Sequence, residues 1–390
     1  MSHSTDQGEP QDIPRQNRAR SYDVIHNWLV LADAVLAVGV LVCLMLSGEH
    51  GFSFLVGRLV GRVAGPHPVL VVAGYVMVMV SGYTVVFLPY AWLKGWWLEH
   101  RFHLSTQSFR SWLWDEAKAF VLTLLLALVV VEVLYLLLRH AHTTWWLWAA
   151  AGWIILQVIL GMLFPVVILP LFYKTTRLDR ADLEQAVARL ASAAGVTVLG
   201  VFRVDLSAKT RKANAALAGI GRTRRILLGD TLLDSFSERE VLSVLAHEFG
   251  HFCHRHIPKL ILAAGIAAVA GMWLADRVLH AGAGLLGIAD VAQVATLPLV
   301  MLALVVFGLV TMPVTNTLAR WFERQADQYA LDATADPDAF IGAMDRLADR
   351  NLSRRMPHPV IEILLHSHPS IARRIAFARQ WAEQHQAIAV

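Results

Sequence analysis

The chain has 390 residues, of which 56% are hydrophobic and only 16% charged, more apolar than an ordinary soluble domain at about 45–50%. Its net charge of +4 comes from basic residues scattered beside apolar runs; without a patterned aromatic or glycine-rich motif this excludes a nucleic-acid-binding protein and points to membrane flanks. Two cysteines, Cys43 and Cys253, give no basis for a disulfide framework and are expected as free thiols.

In chain order, residues 1–22 form a polar, cytoplasmic N-terminal tail carrying Arg15, Arg18 and Arg20. No short apolar core with a small-residue cleavage site lies near the start, so a cleaved signal peptide is not expected. An N-terminal membrane domain, 23–172, follows with four apolar runs, Trp28–Leu46, Pro68–Ala91, Phe120–Leu138 and Trp145–Phe172, each close to the about 20 residues that cross a bilayer as helix. Asp33 and Glu132 interrupt two of these runs; a carboxylate at that depth serves either a helix-packing hydrogen bond or a polar chamber.

Residues 173–258 are polar again. Helical periodicity runs over Asp179–Ala194, short strands are predicted at Val196–Val204 and Arg225–Leu228, and a second helix at Glu238–His254. Two more spans, Leu260–Val278 and Val294–Leu318, make up a second membrane unit, 259–318, before a soluble C-terminal segment, 319–390. Lys and Arg collect in the N-terminal tail, after the second and fourth spans and after the sixth. Short cytoplasmic loops attract such charge, so both soluble segments are expected on the cytoplasmic side.

The chemistry enters at His247-Glu248-Phe249-Gly250-His251. Histidines four apart project from one helical face and can converge on one zinc ion, and Glu248 beside them can act as general base toward a zinc-activated water. A catalytic zinc needs a third protein ligand and an open position. Glu323 is the candidate, with Asp327 four residues on along the same face to orient a ligand histidine; a solvated helix with ordinary surface acids is the competing reading. Topology favours ligation, because an antiparallel pair of spans returns the chain from His251 to Glu323 on one side. His254 and His256 are expected to be structural, His256 lying five residues past His251 and so on another face. His368 with Arg374 is a candidate for stabilising an oxyanion.

With these motifs in place, the sequence resembles the integral-membrane zinc metalloproteases of the CAAX prenyl endopeptidase type, and more distantly the HtpX-type membrane heat-shock proteases. Glu99-His100-Arg101-Phe102-His103-Leu104-Ser105 is similar to a loop segment of that family, with His103 at the place of the usual glycine. Pro170–Lys174 resembles the point where the chain leaves the membrane, and Lys212–Gly219 the strand that lines the substrate cleft.

The resemblance implies an all-α polytopic membrane protein whose helices enclose a hydrated chamber, with a small α+β zinc metallopeptidase domain of gluzincin-like type. It implies one Zn2+ per chain on His247, His251 and Glu323, Glu248 as base, Asp327 behind a ligand, His368 and Arg374 at the transition state, and Asn214 and Ala215 against substrate backbone. Six spans is one fewer than the seven usual in eukaryotic members: either the short N-terminal region lacks a span or two are merged, the 28-residue stretch around Pro165 being the expected place. Composition suggests a bacterial inner-membrane protein. The expected partners are the bilayer and a peptide or membrane-protein substrate, with a lipidated C terminus as one candidate. A quality-control protease of HtpX type and a non-catalytic zinc-containing scaffold are the alternatives, the latter disfavoured by the intact Glu248, for which a structural site has no use.

Overall fold

The computed structural model describes residues 13–386; the expected tail lies partly outside them, at 1–12. Helix α1, Ile13–Met45, already contains residues 13–22, so the first apolar helix continues out through the region read as a tail. Its Ala19 and Tyr22 are buried with Leu98, Phe102, Leu104 and Leu352. Helices α2 (Phe52–Ala64), α3 (Pro68–Arg101), α4 (Phe109–His140) and α5 (Trp145–Phe172) follow. Pro165 has no N–H to give the ladder, and around it, at Phe164–Ile168, the winding widens to a π-type turn without breaking α5. The stretch around Pro165 is therefore one helix and not a merged pair. The helix that the apolar runs did not show is α2, whose 13 residues reach about 20 Å against a hydrocarbon core of about 30 Å.

The first polar segment builds a four-stranded sheet in the order β1-β2-β4-β3, from β1 (Thr175–Arg177), β2 (Val201–Val204), β3 (Ala215–Ala218) and β4 (Arg225–Gly229). Strand β2 pairs parallel with β4, and β3 pairs antiparallel with β4, leaving β3 at an edge. Helix α6 (Ala181–Ala193) sits between β1 and β2, and α7 (Asp230–Leu233) follows β4 directly. Asp230 is buried and accepts from the backbone N–H groups of Leu206, Ser207 and Thr231 and from the Ser207 hydroxyl. Burial opposes its charge, but these donors outweigh it and hold its carboxyl below the usual carboxylate range.

Helix α8, Glu238–Cys253, starts on a capping box: Glu240 Oε2 accepts from the Ser237 N–H at 2.7 Å, and the Ser237 hydroxyl accepts from the Glu240 N–H. Val241, Leu245 and Phe249 put its apolar face into one core with Ile226, Leu228, Ala330, Leu331, Phe340 and Met344. Helix α9, His256–Leu286, and helix α10, Leu297–Thr334, are the last two spans. Helix α10 runs unbroken past the expected boundary at 318, so no linker separates span from soluble segment. Helices α11 (Pro337–Arg350), α12 (Pro359–Leu365) and α13 (Ile371–Gln386) close the fold.

Six helices among the described residues are long and apolar enough to cross a membrane, matching the six expected. Their buried residues gather toward one end, where Phe54, Tyr75, Tyr135, Trp145, Leu279 and Val300 form a cluster. Mid-helix residues such as Val35, Val85, Val129, Ile155, Ile266 and Val310 are exposed. The membrane helices pack against one another mainly at this end, and the small α+β unit lies at the other, an all-α membrane fold with an α+β unit.

Candidate active site

Helices α8 and α10 cross closely enough to bring a cluster of potential metal ligands together because of Gly250. A Cβ built there would lie 2.9 Å from the Ala326 Cα and 3.1 Å from its carbonyl oxygen, both backbone atoms of α10. The contact brings His247 and His251, one turn apart on α8, against Glu323 on α10. The two imidazole Nε2 atoms are 3.2 Å apart; His247 Nε2 lies 3.2 Å from Glu323 Oε2 and His251 Nε2 3.3 Å from Oε1. Ligands about 2.0–2.1 Å from a tetrahedral ion stand about 3.3 Å from one another; the two nitrogens have that spacing, and the carboxylate straddles them with one oxygen facing each.

The hydrogen positions fit a cation as well. His247 Nδ1 lies 2.8 Å from Asp327 Oδ1, which puts the ring proton on Nδ1 and leaves a lone pair on Nε2. Glu323 Oε2 is buried and accepts no hydrogen bond, as expected if His247 Nε2 has no proton to give. Burial works against a charged His247, yet the Asp327 and Glu323 carboxylates beside it push it up to about 9, so where no cation lies in the cluster a second proton takes the Nε2 position that a metal would occupy. His254 and His256 lie outside the ligand cluster. Cys253 directs its Sγ to the Ala194 carbonyl.

Arg374 on α13 is buried and holds Asp327 with two nitrogens, Nε to Oδ2 at 2.9 Å and Nη2 to Oδ1 at 2.5 Å. Its Nη2 also comes within 3.2 Å of His247 Nδ1; since that nitrogen carries a proton toward Asp327, the approach is a contact and not a hydrogen bond. His368, just before α13, brings its Nε2 to 3.3 Å from Glu323 Oε1 with a side chain 61% exposed. It stands on the open side of the cluster, whereas Arg374 stands behind it.

A cleft of about 520 Å³ opens over these groups, lined by Asn214, Ala215, His247, Glu248, His368 and Arg374 among others. Glu248 Oε2 accepts the Leu217 N–H of the edge strand β3 at 3.3 Å. In an antiparallel pair, successive residues turn their backbone groups alternately toward and away from the partner. The Asn214 carbonyl is used by Gly229 on the β4 side, so Ala215 and Leu217 present theirs at the free edge, while Asn214 offers the cleft its exposed side chain.

Glu99 at the end of α3 accepts from the Tyr22 hydroxyl at 2.6 Å and from Lys212 Nζ at 3.0 Å, tying α1 and α3 to the strand end. His103 beyond it has φ 57°, a left-handed conformation that explains the usual glycine there.

Fold and site together define a membrane-embedded metallopeptidase. Residues 177–382 match the family described as Peptidase family M48, and residues 14–174 the one described as CAAX prenyl protease N-terminal, five membrane helices; over that second stretch the structure has four long helices and the short α2. The chain belongs to peptidase family M48 and is a metalloendopeptidase of its integral-membrane, CAAX prenyl protease-like kind. The metalloprotease YhfN of Bacillus subtilis is 29% identical over 374 residues, covering 94% of this chain and 87% of its own. CAAX prenyl protease 1 of Saccharomyces cerevisiae is 33% identical over 183 residues, 46% of this chain and 40% of its own. The crystal structure of S. mikatae Ste24p shares the fold, with a TM-score of 0.81 at 20% identity, over 94% of this chain and 89% of that one.

Proposed function

We propose that the chain hydrolyses peptide bonds in extended segments of peptides or membrane proteins, with one zinc ion on His247, His251 and Glu323. The observation that supports this best is the convergence of two Nε2 lone pairs and a buried carboxylate within 3.2–3.3 Å of one another. When bound, zinc supplies a Lewis acid for the scissile carbonyl and lowers the pKa of water toward about 7.

The chain's own residues do the rest. The free edge of β3 at Ala215 pairs with the substrate backbone as an added strand, and Asn214 contacts it through its side chain. Glu248, beside that edge, takes the proton of the attacking water and delivers it to the leaving amine. His368, on the open side, donates to the developing oxyanion. Asp327 fixes the Nδ1–H tautomer of His247, and Arg374 holds Asp327 in place and adds positive charge behind the centre.

The site faces the cytoplasm of a bacterial inner membrane, a placement supported by the arginine-rich flanks of the spans and by the long match to a Bacillus relative. The names of the CAAX prenyl protease relatives make a lipidated C-terminal peptide one substrate to test beside unmodified ones.

The experiment is cleavage of a quenched fluorescent peptide library, with and without a prenyl group, by the detergent-purified protein and its Glu248→Gln variant, with metal content determined for both. Chelator-sensitive cleavage by the wild type alone, with equal zinc in both, supports the reading. Full metal and no cleavage by either moves a zinc-containing scaffold ahead.

A further inference from the structure

Five residues past His251, a continuous helix would carry His256 about 140° round, away from the metal cluster. The helix is not continuous. Helix α8 ends at Cys253, Arg255 adopts a left-handed conformation with φ 54°, and α9 begins at His256. This reversal returns the His256 ring to His251, with the two Nδ1 atoms 3.0 Å apart. His256 is fully buried, lies nearly flat on Phe322 with ring centroids 4.3 Å apart, and brings its Nε2 to 2.8 Å from Gln325 Oε1.

We propose that His256 is a positioning residue for the metal centre: with Gln325 it fixes the tautomer and ring orientation of His251. The proposal rests on the reading of His251 as a ligand. Two facing Nδ1 atoms on neutral rings share one proton, which one ring donates and the other accepts. A ligating His251 keeps its Nε2 lone pair for the metal, so its proton sits on Nδ1 and is donated to His256 Nδ1. His256 then carries its own proton on Nε2 and donates it to Gln325 Oε1. Each contact in the relay has one donor and one acceptor.

The reverse assignment fails at both ends. It would aim the Nε2–H of His251 between His247 Nε2 and Glu323 Oε1, where the cation belongs, and turn a His256 lone pair toward the Gln325 carbonyl oxygen. The relay also joins three helices, with His251 on α8, His256 on α9, and Phe322, Glu323 and Gln325 on α10. His247 is oriented by a carboxylate and His251 by a neutral imidazole, which adds no negative charge to the centre.

The test uses the full chain in detergent with His256→Leu, His256→Asn and Gln325→Leu. Asparagine can place its Oδ1 near the former Nδ1 and keep an acceptor for His251, while leucine keeps bulk alone. Zinc affinity by chelator competition, the visible absorption of the cobalt-loaded protein and thermal unfolding of the metal-free protein are measured. The expected result is a 10–100-fold (order of magnitude) loss of affinity in His256→Leu with an altered cobalt spectrum, a smaller loss in Gln325→Leu, and recovery of most affinity and of the spectrum in His256→Asn. Equal weakening by Leu and Asn with an unchanged spectrum makes His256 a packing residue and overturns the proposal. Should His256→Leu fail to fold, Gln325→Leu against His256→Asn decides by the same spectrum. A wild-type protein that binds no metal, or a His251→Ala variant that binds it normally, overturns the ligand reading instead.

Discussion

Two of the places where the molecule buries polar groups are built oppositely. At one end of the membrane helices, Tyr75 donates to the Ser53 hydroxyl, which donates to the Ala295 carbonyl, both at 2.6 Å. Nearby, Tyr135 reaches Thr296 at 3.0 Å, and the Trp145 indole N–H reaches Asp276 at 2.7 Å. Each of these contacts closes on a partner within the cluster. At the other end, Arg374 serves Asp327 and Asp327 serves His247, but the chain stops at Nε2, facing a second Nε2 and an unserved Glu323 oxygen. A polar cluster that satisfies itself holds helices together; one whose lone pairs converge without a proton between them is made to take a cation.

The comparison can be broken most sharply at Glu248. Glu248→Gln is expected to lower cleavage by about 10²–10⁴-fold with metal content unchanged, as read by turnover beside elemental analysis. Next comes Asp327→Ala, which leaves the Arg374 charge buried without its partner. A loss of about 3–5 kcal/mol in unfolding of the α+β unit is expected, with weaker metal retention. Gly250→Ala should cost about 1–3 kcal/mol by forcing α8 off the backbone of α10, and zinc titration should show the ligand face opened.

At the self-satisfied end, Tyr135→Phe should lower stability in detergent by about 1 kcal/mol and leave metal affinity and cleavage untouched; a change in either would undo the contrast. The smallest effect concerns pH. Asp230 sits below its ordinary carboxylate value when folded, so its contribution is complete above that ordinary value and is lost as pH falls through the folded one. Amide exchange at Leu206 and Ser207 should quicken in that acid window, and in Asp230→Asn the step should vanish.

Much of this was legible in the sequence because its signals are local. Apolar runs of span length marked six helices, and helical periodicity with the i, i+4 histidines marked α8. The meeting of His247, His251 and Glu323 was legible because two neighbouring spans return the chain to one side. What escaped depended on contacts rather than on periodicity. Helix α2 was too short to show as a span, and residues 13–22 were polar enough to read as a tail although Tyr22 is buried against Phe102 and bonded to Glu99. The boundary expected at 318 falls inside a helix, because α10 runs unbroken from Leu297 to Thr334. His256 was placed on the wrong face by helical arithmetic that a single left-handed residue, Arg255, cancels.

The central claim is that His247, His251 and Glu323 hold a metal with one position left open. X-ray absorption at the zinc edge of the purified protein tests it most directly. The account predicts a first shell of nitrogen and oxygen alone at about 2.0–2.2 Å, two of its ligands imidazoles and one coming from solvent. A shell containing sulfur from Cys253, or one closed by four protein ligands, would contradict it.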